Sequence, residues 1–272
     1  MERGVGTPLA QSVTGAGKGE TMANETAHGD DGPRPVRYGW RQRLGMIIPS
    51  VNTEAEPQIE AMLPQGVTLH TTRLRMVEAA PDQFLAFTEK IEDGAVLLAD
   101  AGVDRILFHC TAVTTFEPEM AERIRDRIVA ATGVPAVATA DAILAALAAL
   151  GARKVVMVTP YLPEVNEREA AFLRYNGIDV LSAYAAGLTY ARDFRAIEPY
   201  AWYRTAMAHR RDEADAYFLS CAQIRVAEII APLERDLGRP VITSNQAAAW
   251  HVLRTGGISD RSAGFGALFE RC

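Results

Sequence analysis

Asp104-Arg105-Ile106-Leu107-Phe108-His109-Cys110-Thr111-Ala112 is an apolar run that ends in a cysteine followed by two small residues. The chain repeats the pattern at Asp215-Ala216-Tyr217-Phe218-Leu219-Ser220-Cys221-Ala222-Gln223. Each copy reads as a buried strand whose carboxyl tip presents a thiol, with backbone N–H groups opening the next loop or helix. Two further segments share the rhythm. Gly45-Met46-Ile47-Ile48-Pro49 and Val155-Val156-Met157-Val158-Thr159-Pro160 are short apolar strands ending in proline. Exactly matching spacing links the pairs, since 61 positions separate both Pro49 from Cys110 and Pro160 from Cys221. A third pair, Gly133-Val134-Pro135 and Gly238-Arg239-Pro240, follows the cysteines. Matching segments at matching spacing indicate an internal duplication, hence two similar α/β halves that each bring one cysteine to a shared cleft. The alternative is that both cysteines are ordinary buried thiols, a common fate of free cysteine.

Strands alternate with helical patterns throughout. Strands are predicted at 44–48, 67–73, up to Cys110, 136–139, 154–158, 179–183, up to Cys221 and 241–243. Helices are predicted at 81–101, 118–131, 141–150, 164–175, 199–211, 225–237 and 246–255, and Asn52 or Thr53 is placed to cap another after the first strand. This alternation implies βαβ units and parallel sheets, whose ligands sit at the carboxyl ends of the strands. Pro49, Cys110, Pro160, Cys221 and Ser244 fall at such ends. The expected organisation is a disordered leader over 1–40, an α/β half over 41–152 and a second over 153–272. The leader lacks apolar periodicity. Its residues 15–21 have the wrong spacing and flanks for a phosphate loop.

Composition narrows the function. Of 272 residues, 49% are hydrophobic and 23% charged, which is typical of a soluble globular protein that can bury a full core. A net charge of −6 without a basic cluster gives no sign of nucleic-acid binding, and no apolar run is long enough for a membrane span. Three cysteines form no disulfide framework and fit a reducing cytoplasm, where thiols stay available for chemistry.

Two thiols facing one cleft suit acid–base or addition chemistry at carbon. A thiolate is a strong nucleophile, and a loop or helix N-terminus is expected to lower its pKa. Backbone N–H groups of Thr111, Ala112 and Ala222 are candidates to bind a carboxylate or the enolate formed from it. The hydroxyls of Thr53, Thr111 and Tyr161 and the amide of Asn52 are further candidate donors. Neither cysteine has a second ligand at metal spacing, so no metal site is expected. His109 precedes Cys110 on a strand and should face away from the thiol as a structural residue.

Residues 45–53, Cys110-Thr111, Thr159-Pro160-Tyr161 with Val165-Asn166-Glu167-Arg168, and Ser220-Cys221 together resemble the aspartate/glutamate racemase superfamily. The likeness covers about residues 43–269 and is strongest to the maleate cis–trans isomerase and arylmalonate decarboxylase branch. It implies two Rossmann-like or flavodoxin-like halves related by a pseudo-twofold axis, an active site in the cleft between them, and no cofactor. Arylmalonate decarboxylases carry glycine where this chain has Cys110, so the second thiol favours the isomerase or racemase branches. By resemblance to maleate isomerases, Cys110 is the nucleophile and Cys221 the acid/base, with Asn52, Tyr161 and the backbone around Thr111 and Ala222 holding carboxylates. One departure is Ala191, which stands where maleate isomerases commonly place a substrate-binding Asn; neighbouring Arg192 is the candidate replacement. The expected partners are a small carboxylic acid and further copies of the chain. A racemase, a decarboxylase and a non-catalytic acid-binding protein remain alternatives.

Overall fold

Gln42–Pro49 forms the first strand, β1, and is buried continuously from Leu44 onward, as a central parallel strand covered on both faces must be. In this computed structural model residues 38–78 and 81–272 are described; the expected leader up to residue 37, with its glycine-rich 15–21, lies outside them. After β1 come α1 (Ala55–Met62), β2 (Val67–Leu74), α2 (Pro81–Thr88), α3 (Ile91–Asp100), β3 (Arg105–Phe108), α4 (Thr111–Thr114), α5 (Met120–Thr132), β4 (Ala136–Ala138) and α6 (Thr139–Ala149). The sequence continues with β5 (Lys154–Thr159), α7 (Pro163–Tyr175), β6 (Asp179–Ala185), α8 (Ala191–Ala196), α9 (Pro199–Ala208) and β7 (Ala216–Leu219). A 3₁₀ turn (Ala227–Ile229) leads into α10 (Ile230–Leu237), β8 (Val241–Thr243), α11 (Ser244–Thr255) and α12 (Gly266–Arg271).

The strands form two parallel four-stranded sheets with one shared order, β2-β1-β3-β4 and β6-β5-β7-β8. The repeat spacing survives in the register. Leu44 pairs with Arg105 in the first sheet and Val155 with Ala216 in the second, an offset of 61 residues in both. Side chains repeat it: Asp104 accepts the N–H of Arg43 at 2.6 Å, and Asp215 accepts that of Lys154 at 2.8 Å, each 61 residues away. The glycine pair has its reason too. Gly133 and Gly238 sit at φ +71° and +66° as left-handed caps of α5 and α10, which only glycine adopts without penalty.

Several predicted boundaries move. The single helix expected over 81–101 is two. Phe84 packs edge-on to Phe116 and Phe87 leans on Phe108, whereas α3 buries Ile91, Ala95 and Leu98 against β1 and β2. One straight rod would not serve both sets of partners. α6 and α11 begin at Thr139 and Ser244, earlier than periodicity placed them, and α8 was not foreseen. Ser244 is therefore the first residue of a helix capped by Thr243, whose hydroxyl accepts the N–H of Gln246 at 3.1 Å.

Candidate active site

Both sheets reverse their winding between the first and third strand in chain order, and the loops after those strands meet. From the first half come the turn after Pro49 and the Cys110–Ala112 segment; from the second come Tyr161 and the Cys221–Gln223 segment. They line one cavity, closed by an apolar wall of Val51, Met76, Val77, Ala191 and Phe194. Seven of the eight residues singled out from the sequence lie in it: Asn52, Cys110, Thr111, Ala112, Tyr161, Cys221 and Ala222. Thr53 does not. Its hydroxyl turns outward to Glu54 at 2.9 Å, and it lines an outer depression with Tyr190, Arg192 and Arg195. Arg192 also lies outside the cavity, with its guanidinium over the Tyr190 ring at 4.8 Å, while Ala191 is in the wall.

The two thiols have similar surroundings. Cys110 precedes α4 in extended conformation, and its Sγ accepts the N–H of Val113. Cys221 follows β7 at φ +128°, a left-handed value rare for a side-chain-bearing residue. Its own N–H donates to Ser244 Oγ at 3.1 Å, and its Sγ accepts the N–H of Gln223 at 3.3 Å and the Tyr161 hydroxyl. The expectation of lowered thiol pKa values is corrected here. Burial pushes both up to about 12, because withdrawal from water outweighs the N–H donors. Among the described residues no lysine or arginine lines the cavity, and its one charged residue is Glu78. At neutral pH both thiols are protonated, and burial likewise drives the Tyr161 phenol well above its ordinary range.

The candidate donors separate. Among the described residues, the amides of Thr111, Ala112 and Ala222 have no protein acceptor and lie at the cavity. The Thr111 hydroxyl is engaged, donating to Ser244 Oγ at 2.9 Å. Asn52 uses its carbonyl oxygen to receive the N–H groups of Glu54 and Ala55 at 3.0 Å each, so only its NH₂ is available. His109 borders the cavity, but its ring is held by Thr139 at 3.0 Å and Asn245 at 2.7 Å. Burial lowers its pKa to about 4, so it is neutral.

Four residues were missed. Gln223 ties the halves together, accepting the N–H of Thr53 at 3.2 Å and donating to the Val51 carbonyl at 3.0 Å. Asn245 donates to the Ala222 carbonyl at 3.3 Å while holding His109. Phe194 meets the Tyr161 ring edge-on at 5.9 Å. Glu169 is a buried carboxyl whose Oε1 accepts the Ser220 hydroxyl at 2.5 Å. Its signal was in the sequence: with Val165, Phe172 and Leu173 it falls on the buried phase of α7, where a charge is out of place.

The chain is similar to enzymes of two named activities. The chain is 27% identical over 241 residues to the maleate isomerase of Nocardia farcinica, covering 85% of this chain and 96% of that one. It is 29% identical over 241 residues to the arylmalonate decarboxylase of Bordetella bronchiseptica, covering 84% and 96%. A crystal structure of a maleate isomerase variant from Pseudomonas putida S16 with maleate superposes with a TM-score of 0.78 at 26% identity, covering 84% of this chain and 97% of that one. The family model described as arylmalonate decarboxylase matches residues 44–269, from the first strand to the last helix, and the protein is an enzyme belonging to that family.

Proposed function

We propose that the protein isomerises a small unsaturated dicarboxylic acid of the maleate type without a cofactor. Each half, 41–152 and 153–272, contributes one thiol. Cys110 is the nucleophile and Cys221 the proton donor and acceptor. Cys110 Sγ bonds to one alkene carbon, and the π electrons move to the other carbon and into its carboxylate as an enediolate. Cys221 delivers its proton to that carbon and is reprotonated by the proton leaving Cys110. Rotation about the new single bond follows. Reversal of the same steps, with Cys221 returning its proton to the departing Cys110 Sγ as it takes one from carbon, releases the trans acid. No proton is gained or lost overall.

The observation that carries this reading is the convergence of two protonated thiols, one from each half, beside unengaged amides at Thr111, Ala112 and Ala222. Protonated Cys221 is in the state a proton donor needs, and Tyr161 is bonded to it. Among the described residues no cation lines the cavity, so the amides, the Asn52 NH₂ and the Tyr161 hydroxyl, turned from Cys221 Sγ to the enediolate, bear the developing charge. The relatives named above as maleate isomerases support the substrate type. The apolar wall of Met76, Val77 and Phe194 favours a second reading, decarboxylation or racemisation of an acid with an apolar substituent.

The test is a proton NMR assay of EDTA-treated, dialysed protein with maleate, substituted maleates and α-substituted malonates. Conversion of a cis to a trans acid is the expected result. Loss of a malonate carboxyl without isomerisation would select the second reading. Activity that disappears on dialysis and returns with a metal or coenzyme would overturn both.

A further inference from the structure

Glu169 is the one buried carboxyl among the described residues, 1% exposed, and it lies behind the two-thiol cavity. One oxygen accepts the hydroxyl of Ser220, the residue immediately before Cys221; the other, Oε2, is buried with no hydrogen-bond partner. A buried carboxyl half satisfied in this way is unfavourable unless it has a use. The ionisable groups within its electrostatic reach are Cys110, Cys221 and Tyr161, arriving from β3, β7 and β5 respectively. Among the described residues nothing cationic offsets it. On its own helix, Arg168 lies over the Phe116 ring and Glu167 is paired with Arg174. On β6, against which α7 packs, Asp179 is exposed and Tyr184 faces His209. Lys154, at the far end of β5, is exposed, and the Tyr217 hydroxyl of β7 is bonded to the Arg211 backbone.

We propose that Glu169 is a positioning residue for the thiol chemistry, its carboxyl acting as a charge gate that permits Cys110 and Cys221 to ionise when neutral and restrains them when ionised. This rests on the two-thiol reading of the cavity. Burial raises the Glu169 pKa to about 7, against the opposing pull of the Ser220 hydroxyl. Below that pH the gate is open. Above it, a negative charge beside both sulfurs disfavours a second one, so thiolate formation rises less steeply with pH than for an isolated thiol.

The experiment follows alkylation of Cys110 and Cys221 by iodoacetamide, read by peptide mass spectrometry between pH 5.5 and 9, in wild type, Glu169→Gln and Ser220→Ala. Wild type should show a flattening of the rate profile near pH 7. Glu169→Gln should lack it, matching wild type at pH 5.5 and exceeding it about tenfold at pH 8.5, the effect of a one-unit thiol shift. Ser220→Ala removes the group that holds the carboxyl pKa down, so its flattening should move to higher pH. A Glu169→Gln profile parallel to wild type, with one rate ratio at every pH, would overturn the proposal. Should that variant fail to fold, an unmoved flattening in Ser220→Ala would do so. Alkylation needs no substrate, so failure to isomerise maleate would count against the proposed function and leave this result standing.

Discussion

Cys221 combines a reactive side chain with a backbone at φ +128°, a region that disfavours any Cβ. That conformation aims its N–H at Ser244 while its sulfur meets the Gln223 N–H and the Tyr161 hydroxyl. Relief of strain should therefore separate from activity. Cys221→Gly and Cys221→Ala are both expected to be inactive, but the glycine variant should be more stable than the alanine variant by about 1 kcal/mol in urea titration. Equal stability would mean the backbone there is unstrained. Cys110→Ala should also abolish turnover. Tyr161→Phe should lower kcat by about a hundredfold, the usual effect of removing one donor to a developing oxyanion, with an unchanged melting temperature. Both thiols were legible because a cysteine closing an apolar strand is a local pattern. Their raised pKa values were not, since the apolar wall that causes them comes from distant segments: Met76 follows β2, and Phe194 lies on α8.

At the scale of elements, the duplication was readable because the 61-residue offset is a property of the chain that strand pairing preserves. The break between α2 and α3 was not readable, because both have apolar helical periodicity and only their different packing partners separate them. Asn52 shows an element and the site sharing one side chain. Its oxygen serves the start of α1, and its NH₂ remains for a ligand. Asn52→Asp keeps the oxygen that accepts the Glu54 and Ala55 N–H groups and replaces the NH₂ with negative charge; Asn52→Ala loses both. In urea titration Asn52→Ala should be destabilised by about 1 kcal/mol and Asn52→Asp much less, whereas both should raise KM. Equal stability loss in the two variants would contradict the role of that oxygen in the turn leading into α1.

The halves of the whole molecule are joined by buried polar contacts. Gln58 donates to the Ile224 carbonyl at 2.8 Å, Gln223 bonds Val51 and Thr53, and His109 meets Asn245. None of these pairings is visible in sequence, since each spans more than a hundred residues. They set a pH dependence. His109 stays neutral in the fold down to about pH 4 but is protonated in the unfolded chain below about 6.5, so it withdraws stability as pH falls through that window. Glu169 acts oppositely. It stays protonated in the fold up to about pH 7 and ionises in the unfolded chain near 4.5, so it withdraws stability as pH rises. Between about pH 4.5 and 6.5 the two slopes cancel. Urea midpoints of the wild type should change little there through these two groups. Glu169→Gln removes one slope, and should lose about 3 kcal/mol between pH 6.5 and 4 relative to wild type. Parallel wild-type and variant profiles would show that Glu169 does not titrate as described.

The central claim is that Cys110 forms a bond to the substrate and that Cys221 moves the proton. It is tested most directly by intact-mass and peptide mass spectrometry of Cys221→Ser protein after incubation with maleate. Solvent can slowly protonate the enediolate in place of Cys221, but serine is too weak a base to take that proton back, so an adduct once formed should persist. The predicted result is a mass increase equal to one maleate, mapped to Cys110 and absent when Cys110 is also replaced by alanine. An unmodified Cys110 in a preparation whose wild type converts maleate to fumarate, or an adduct on any other residue, would contradict it.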